Sequence, residues 1–178
     1  MIKMIIATDN NYAIGNKGGL PWPSIKEDMR YFKEQTVGYN VVMGMTTFKS
    51  LQKLGFEQGL PDRINIVLTS QVPELDKLGY SVIAENQCYF VNKQYLISKL
   101  EMLELLNQDA WVIGGASLYD QMLPYVYEIH HTRVHGDFLA DVYFDRLDEI
   151  IAGTDFYLDS SLALDKGVAE VNVWKRLK

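Results

Sequence analysis

The sequence predicts an α/β fold with a mostly parallel central sheet, helices on both faces and an antiparallel hairpin at the C-terminal edge. Short apolar runs alternate with amphipathic stretches through the first two-thirds of the chain. Two predicted strands run directly into glycines, at Gly44 and at Gly114, and the last two β-rich segments are joined by a polar stretch rather than a helix. With 178 residues and no repeat or linker, we expect a single domain over 1–178.

Each element follows from its local pattern. Strands are predicted where apolar or β-branched runs end at turn residues: 2–8, 39–44, 64–69, 77–84 (centred on 80–83), 110–113 and 128–134. Helices are predicted where apolar residues recur at spacings of three and four or before a proline: 24–35, 46–54, 93–107 and 116–122. A closing hairpin is predicted over 156–158 and 168–174, across the polar stretch 159–167.

The stretch 13–32 joins a Gly/Pro-rich loop containing Trp22 to the first helix. Ser24 is predicted to cap that helix, with Glu27 as its capping-box partner. Asp28 adjoins the apolar face of the helix, which comprises Ile25, Met29 and Phe32. A carboxylate beside an apolar face and behind a loop indicates a ligand pocket with a lid. The alternative is that the acids of the first turn only stabilise the helix macrodipole.

Two strand–glycine–helix junctions indicate a site for phosphates. One is Gly114-Gly115, which ends a strand and opens a helix, and the other is Gly44, followed by Thr46 and Thr47. Bare backbone N–H groups at such junctions bind phosphates, and open α/β sheets bind ligands at the carboxyl edge of their strands. The three-glycine dinucleotide fingerprint is absent, and a tight turn is an equal interpretation of the diglycine.

Several polar residues have two interpretations. Arg63 starts a strand, where it is either a bidentate clamp for a carboxylate or a surface residue paired with Asp62. Thr132 is either a β-former or a hydroxyl that bonds a buried acid. His130 and His131 are neighbours on one strand and point to opposite faces, so no metal site is expected. Because nucleophile and P-loop motifs are absent, redox chemistry on a bound cofactor is favoured.

Composition excludes other classes of protein. The net charge of −6 argues against nucleic acid as a partner. No apolar run approaches the roughly 20 residues that span a bilayer, and the N-terminus lacks the pattern of a signal peptide. Cys88 is the single cysteine, which favours a reducing compartment. We therefore expect a cytoplasmic monomer that binds a small-molecule substrate and does not bind a membrane.

The order and spacing of these motifs resemble the dihydrofolate reductase family. The resemblance rests on 13–15, 20–22, Asp28 with Met29 and Phe32, 42–48, 60–63 with 65–70, 112–119, Thr132 and 141–144. It covers 1–70 and 111–144, whereas 71–110 agree only in the order of elements and the end of the chain only in a hairpin outline.

The resemblance implies hydride transfer from NADPH to the pteridine of dihydrofolate, which gives tetrahydrofolate. It implies a catalytic set of Asp28, Trp22 and Thr132. In the family, the acid at the position of Asp28 accepts two parallel hydrogen bonds from the ring and raises the basicity of the ring nitrogen. A water gated by the 14–24 loop then delivers the proton, and Thr132 holds the carboxylate.

The resemblance also implies two sets of binding residues. The substrate pocket would comprise Ile5, Ile6, Met29, Phe32, Leu51, Leu60, Arg63 and Ile113, with Arg63 on the carboxylate of the glutamate tail. The NADPH site would comprise Ala7, Ile14, Leu20, Gly44, Met45, Thr46, Thr47, Leu68, Thr69, Ser70, Gly114, Gly115, Ala116, Ser117, Leu118 and Tyr119. A non-proline cis bond is expected at the diglycine.

The chain departs from the family pattern in three places. Met45 and Ser117 stand where the family commonly has basic residues that face the cofactor's phosphates, which leaves NADH open as an alternative to NADPH. The loop before Asp28 is one residue longer than in the close bacterial pattern, so Glu27 is an alternative acid, although the helix phase favours Asp28. Two other functions stay open: a pyrimidine reductase of riboflavin synthesis, and a folate- or nucleotide-binding subunit without turnover.

Overall fold

The computed structural model describes residues 1–70, 80–82 and 88–177. Within them the strands are β1 (Ile2–Thr8), β2 (Ala13–Gly15), β3 (Asn40–Gly44), β4 (Ile64–Leu68), β5 (Tyr80–Val82), β6 (Cys88–Val91), β7 (Ala110–Val112), β8 (Glu128–Val134), β9 (Val142–Tyr143), β10 (Phe156–Leu164) and β11 (Ala169–Arg176). The helices are α1 (Lys26–Thr36), α2 (Met45–Lys53), α3 (Lys93–Leu105), α4 (Ala116–Met122) and α5 (Arg146–Ala152). None of these helices is long and apolar enough to cross a membrane.

The predicted fold class is confirmed. The main sheet of the described residues has the strand order β10-β11-β8-β1-β7-β3-β4-β6-β5. Every pairing from β8 to β6 is parallel, whereas β11 pairs antiparallel with both β8 and β10, and β5 pairs antiparallel with β6. A separate pair, β2 with β9, lies at the start of the 14–24 loop, here called the lid loop. The C-terminal hairpin is therefore one edge of the sheet, as predicted.

Helices cover both faces of the sheet because the strand residues alternate between two apolar clusters. On β1, Ile5 belongs to a cluster with the side chains of α1 and α2, here called the α1-side cluster. Met4 and Ile6 belong to the opposite cluster, formed with α3, α4 and α5 and here called the α3-side cluster. The sheet is therefore buried on both faces. Because the central strands are parallel, their carboxyl ends lie together along one end of the sheet.

The predicted helix caps were wrong. Helix α1 begins at Lys26, and its N-cap is Ile25, which makes no side-chain capping bond. Helix α2 begins at Met45, because β3 runs directly into it and extended Gly44 takes the cap position that was predicted for a threonine. Glu27 is not a capping-box partner, since its carboxylate accepts a hydrogen bond from the backbone N–H of Asp165 in the hairpin turn.

The C-terminal hairpin is longer than predicted. Strand β10 continues through the polar stretch 159–163, and only a 3₁₀ turn at Asp165–Gly167 separates it from β11. Polar residues are compatible with strand here because β10 is the outermost strand and most of its residues are exposed. The sequence interpretation also missed β2, β6, β9 and α5. Of the predicted strand 77–84, residues 80–82 are confirmed as β5 and the others lie outside the described residues.

Candidate active site

Asp28 is held in the interior by a threonine from the neighbouring strand. It lies in the first turn of α1, is only 5% exposed, and accepts a hydrogen bond of 2.7 Å at Oδ1 from the Thr132 hydroxyl on β8. Burial raises the pKa of the Asp28 carboxyl, and the bond from Thr132 opposes that rise. Thr132 occupies one lone pair, so the carboxylate keeps acceptor capacity for a second partner.

The alternative acid has a different position. Glu27 is half-buried and directed to the C-terminal hairpin through its bond with Asp165, whereas Asp28 points at the sheet. The geometry therefore favours Asp28 over Glu27 as the acid of the site, in agreement with the helix phase.

Most of the predicted substrate-pocket residues lie together on the α1 side of the sheet. Members of the α1-side cluster among them are Ile5, Phe32, Leu51, Leu60 and Ile113. Met29 follows Asp28 on α1, and its side chain is 41% exposed. The prediction for Ile6 was wrong as regards its side chain, which is 2% exposed and packs in the α3-side cluster because neighbours on a strand face opposite ways.

Arg63 is buried rather than a surface residue. Its Nε donates to the Thr36 hydroxyl at 3.0 Å and its Nη1 to the Pro61 carbonyl at 2.6 Å, and the guanidinium lies 5.9 Å from the centre of the Phe32 ring. Burial lowers its pKa, and Asp62 opposes this. These bonds fix the plane of the guanidinium next to a pocket residue, and its remaining N–H groups are the donors that could bind a carboxylate.

The lid loop is folded back on itself and is bonded to a residue distant in the sequence. Asn16 and Gly19 exchange backbone hydrogen bonds, and the Asp141 carboxylate accepts from the Lys17 backbone N–H at 2.9 Å. Trp22 is 5% exposed and packs edge-on against Phe138, with ring centres 6.0 Å apart. The Trp22 Nε1 is buried without a partner in the described residues, so the loop presents a hydrogen-bond donor in the interior beside α1.

The two glycine junctions touch each other. The Gly44 N–H donates to the Gly114 carbonyl at 2.7 Å, and the peptide bond between Gly114 and Gly115 is cis, as expected. Gly114 has φ of +109°, and a Cβ there would lie 3.0 Å from the Tyr119 hydroxyl oxygen, so glycine is required. Since none of these three glycines has a side chain, backbone forms this edge, with the Thr47 hydroxyl oxygen 3.6 Å from the position of a Cβ on Gly115. Because the Gly44 N–H is already bonded, the donors that this edge offers to a pyrophosphate are the Thr47 hydroxyl and the backbone N–H groups in the first turn of α2.

The other predicted cofactor residues fall into three groups. Those at the carboxyl ends of β1, β3, β4 and β7 or at the adjoining helix starts are brought to one end of the sheet: Ala7, Met45, Thr46, Thr47, Leu68, Thr69, Ser70, Ala116 and Ser117. On the lid loop, Ile14 packs against the α3-side cluster and Leu20 is 44% exposed. Leu118 and Tyr119 form the third group, and their contacts are with the protein interior. Both side chains pack in the α3-side cluster, and both backbone N–H groups donate to the Gly115 carbonyl. The Tyr119 hydroxyl donates to the Ile5 carbonyl at 2.9 Å and so supports the strand instead.

Sequence reasoning missed a hydrogen-bonded chain next to Asp28. His130 lies between the Tyr31 hydroxyl (2.6 Å) and Glu128 Oε1 (2.7 Å). The available signal was the alternation of β8, which places His130 on the same face as Thr132.

Together, the sheet and the buried acid define a class of protein: a small α/β protein with a buried carboxylate against its parallel strands, glycine junctions at the carboxyl ends of two of them and a loop from the N-terminal part of the chain beside the acid. Similarity to known proteins narrows this class. The family model described as dihydrofolate reductase matches residues 1–153. The chain belongs to the dihydrofolate reductase family.

Individual relatives agree. The chain is 34% identical over 151 residues to the dihydrofolate reductase of Bacillus subtilis strain 168, covering 84% of this chain and 78% of the relative. It is 33% identical over 149 residues to that of Buchnera aphidicola subsp. Baizongia pistaciae, covering 84% and 80%. A solved dihydrofolate reductase from Enterococcus faecalis, complexed with NADP(H) and RAB-propyl, has the same fold with a TM-score of 0.76 and 22% identity, covering 100% of this chain and 97% of the other.

Proposed function

We propose that this protein reduces 7,8-dihydrofolate to 5,6,7,8-tetrahydrofolate with NADPH. The observation that carries the proposal is the buried Asp28 carboxylate, fixed by Thr132 on the α1 side of the sheet. Membership of the dihydrofolate reductase family supports the same reaction.

Asp28 binds and orients the pteridine. Its remaining lone pairs accept hydrogen bonds from the ring amide and the exocyclic amine, and a charged acceptor makes both bonds strong. The negative charge also raises the basicity of the ring nitrogen that must gain a proton. Thr132 prevents the carboxylate from rotating, so the ring is held in one plane, and orientation of this kind supplies much of an enzyme's rate.

NADPH, when bound, supplies the hydride. The Thr47 hydroxyl and the first-turn N–H groups of α2 suit its pyrophosphate, and the side-chain-free edge at Gly114 and Gly115 leaves room for it, whereas Met45 supplies no cation for a 2′-phosphate.

Two further groups complete the site. Arg63 binds the carboxylate of the substrate's glutamate tail, since its Nε and Nη1 are already fixed by protein oxygens and the plane of the fork is set. The lid loop, residues 14–24, excludes bulk water and admits the water that protonates the ring, with the Trp22 Nε1 as a donor on its inner side.

The test is to mix purified protein with NADPH and dihydrofolate and follow the loss of NADPH absorbance. We expect turnover with dihydrofolate and none with the aminopyrimidine substrate of riboflavin synthesis. Turnover of the aminopyrimidine instead would assign the chain to the second reductase, and tight binding of a folate analogue without turnover would make it a binding subunit.

We further propose that the protein is a cytoplasmic monomer. Cys88 is buried, and burial raises its thiol pKa to about 11, so it is unsuited to disulfide exchange. The net charge of −6 is unfavourable for binding to nucleic acid. Light scattering on a sizing column tests the monomer, and a mass of two chains would refute it.

A further inference from the structure

Helix α1 is bonded to β8 at two points, of which the Asp28–Thr132 bond is only one. His130 and Thr132 are two residues apart on β8 and face the same way. Asp28 and Tyr31 are three residues apart on α1 and also share a face. The second bond joins the Tyr31 hydroxyl to His130 Nδ1 at 2.6 Å.

The direction of the second bond is set by Glu128. Hydrogen bonding from His130, together with the nearby Lys3 ammonium, lowers the pKa of the Glu128 carboxyl to about 2, so it is ionised at neutral pH. An ionised carboxylate only accepts, and the 2.7 Å contact therefore places a proton on His130 Nε2. When that is the only proton on the ring, Nδ1 accepts from the Tyr31 hydroxyl. Burial raises the pKa of that hydroxyl to about 12, which keeps its proton in place.

The imidazole is also confined by its neighbours. His130 is 6% exposed, and its ring meets the Trp111 ring edge-on with centres 4.8 Å apart. Lys3 Nζ lies 5.3 Å from the centre of the same Trp111 ring and 3.4 Å from Glu128 Oε1. The His130 ring contacts Trp111 and is hydrogen-bonded at both nitrogens, so it has little freedom to move. It therefore fixes the position of α1 relative to β8.

We propose that Glu128, His130 and Tyr31 form a positioning chain that fixes the rotation of α1 and thereby aims the Asp28 carboxylate at the substrate. Tyr31 is a positioning residue, not a catalytic one, because it acts through Asp28. This inference rests on the proposed function, since it concerns the reduction of dihydrofolate at that site.

The first test is Tyr31→Phe, which keeps the ring and removes the hydroxyl. We expect the single-turnover rate of hydride transfer to fall about tenfold, less than the roughly hundredfold that a displacement of 1 Å produces. The KM for NADPH stays the same, since the cofactor edge is formed by other elements. Tyr157→Phe on the exposed edge strand is the matched control and leaves the rate unchanged. All variants are assayed well below their melting temperatures, so that lost stability does not contribute.

The second test is a double-mutant cycle with Glu128→Gln. Alone, this change lowers the hydride-transfer rate by about threefold, and in the Tyr31→Phe background it has no further effect. If the two losses are additive, Glu128 acts by another route and the proposed positioning chain is refuted. A wild-type rate in Tyr31→Phe would refute it as well. If the unaltered protein shows no hydride transfer, the proposed function fails instead, and the two failures are therefore distinguishable.

Discussion

Asp28→Asn is the most direct perturbation of the site, because it removes the charge and almost nothing else. Thr132 occupies one lone pair of Oδ1, which leaves Oδ2 and the other lone pair of Oδ1 to accept the two hydrogen bonds of the substrate ring. A hydrogen bond to a charged group contributes about 1.5–3 kcal/mol. Asparagine keeps one neutral acceptor, its carbonyl oxygen. Its amide NH₂ group faces one of the two N–H donors of the substrate ring, so the second hydrogen bond is lost. The net loss is therefore about 3 kcal/mol, or about 150-fold in rate at about 1.36 kcal/mol per tenfold.

The assay is single-turnover hydride transfer at neutral pH, with Glu27→Gln as the matched control. Glu27 precedes Asp28 on the same helix and bonds to the hairpin, so its amide variant keeps the wild-type rate. Asp28→Asn does not lower the melting temperature at neutral pH. Burial raises the folded-state pKa of Asp28, so its charged form is a penalty that is fully present above that pKa and is relieved as the pH falls through it. A near-normal rate in Asp28→Asn together with an impaired Glu27→Gln would refute the assignment of the acid.

Three further predictions concern other parts of the site. Arg63→Lys raises the KM for dihydrofolate with little change in kcat, because a point charge replaces a fixed fork; steady-state kinetics check this, and an unchanged KM would remove Arg63 from the site. Met45→Arg increases the ratio of kcat/KM for NADPH to that for NADH, because it adds a cation for the 2′-phosphate; an equal gain with both cofactors would contradict this. Thr132→Val raises the pKa of Asp28 further, since the bond that opposes the burial effect is lost; a carboxyl NMR titration of the free protein measures the shift, and no shift would mean that Thr132 does not bond Asp28 in solution.

The central strands could be predicted from the sequence. They are buried on both faces, so each contains a continuous apolar run. Edge strand β10 was read too short, since its residues 157–163 are all exposed and carry no periodic apolar signal. Strand β6 and helix α5 were missed because both are short, and only their contacts within the sheet and core show what they are.

At the site, the helix phase predicted that Asp28 adjoins the apolar face of α1, and the strand–glycine–helix patterns predicted the junctions at Gly44 and Gly114. Both signals depend on local spacing alone. The packing of Leu118 and Tyr119 in the α3-side cluster was not predicted, because a motif gives the position of residues but not the face of the helix on which each side chain lies. The contact between Tyr31 and His130 joins residues 99 apart. No local pattern encodes such a pairing, and it required the register of the sheet.

The acid and its hydroxyl partner are separated by 104 residues, and the anchor of the lid lies 124 residues from Lys17. Since a ribosome releases the N-terminal part first, a nascent chain carries Asp28 long before anything can hold it. The carboxylate therefore gains its fixed position only after β8 has emerged and paired with β1. A product truncated before Thr132 keeps Asp28 but lacks the hydroxyl that holds it, so a ligand that recognises the folded acid site does not stabilise that product.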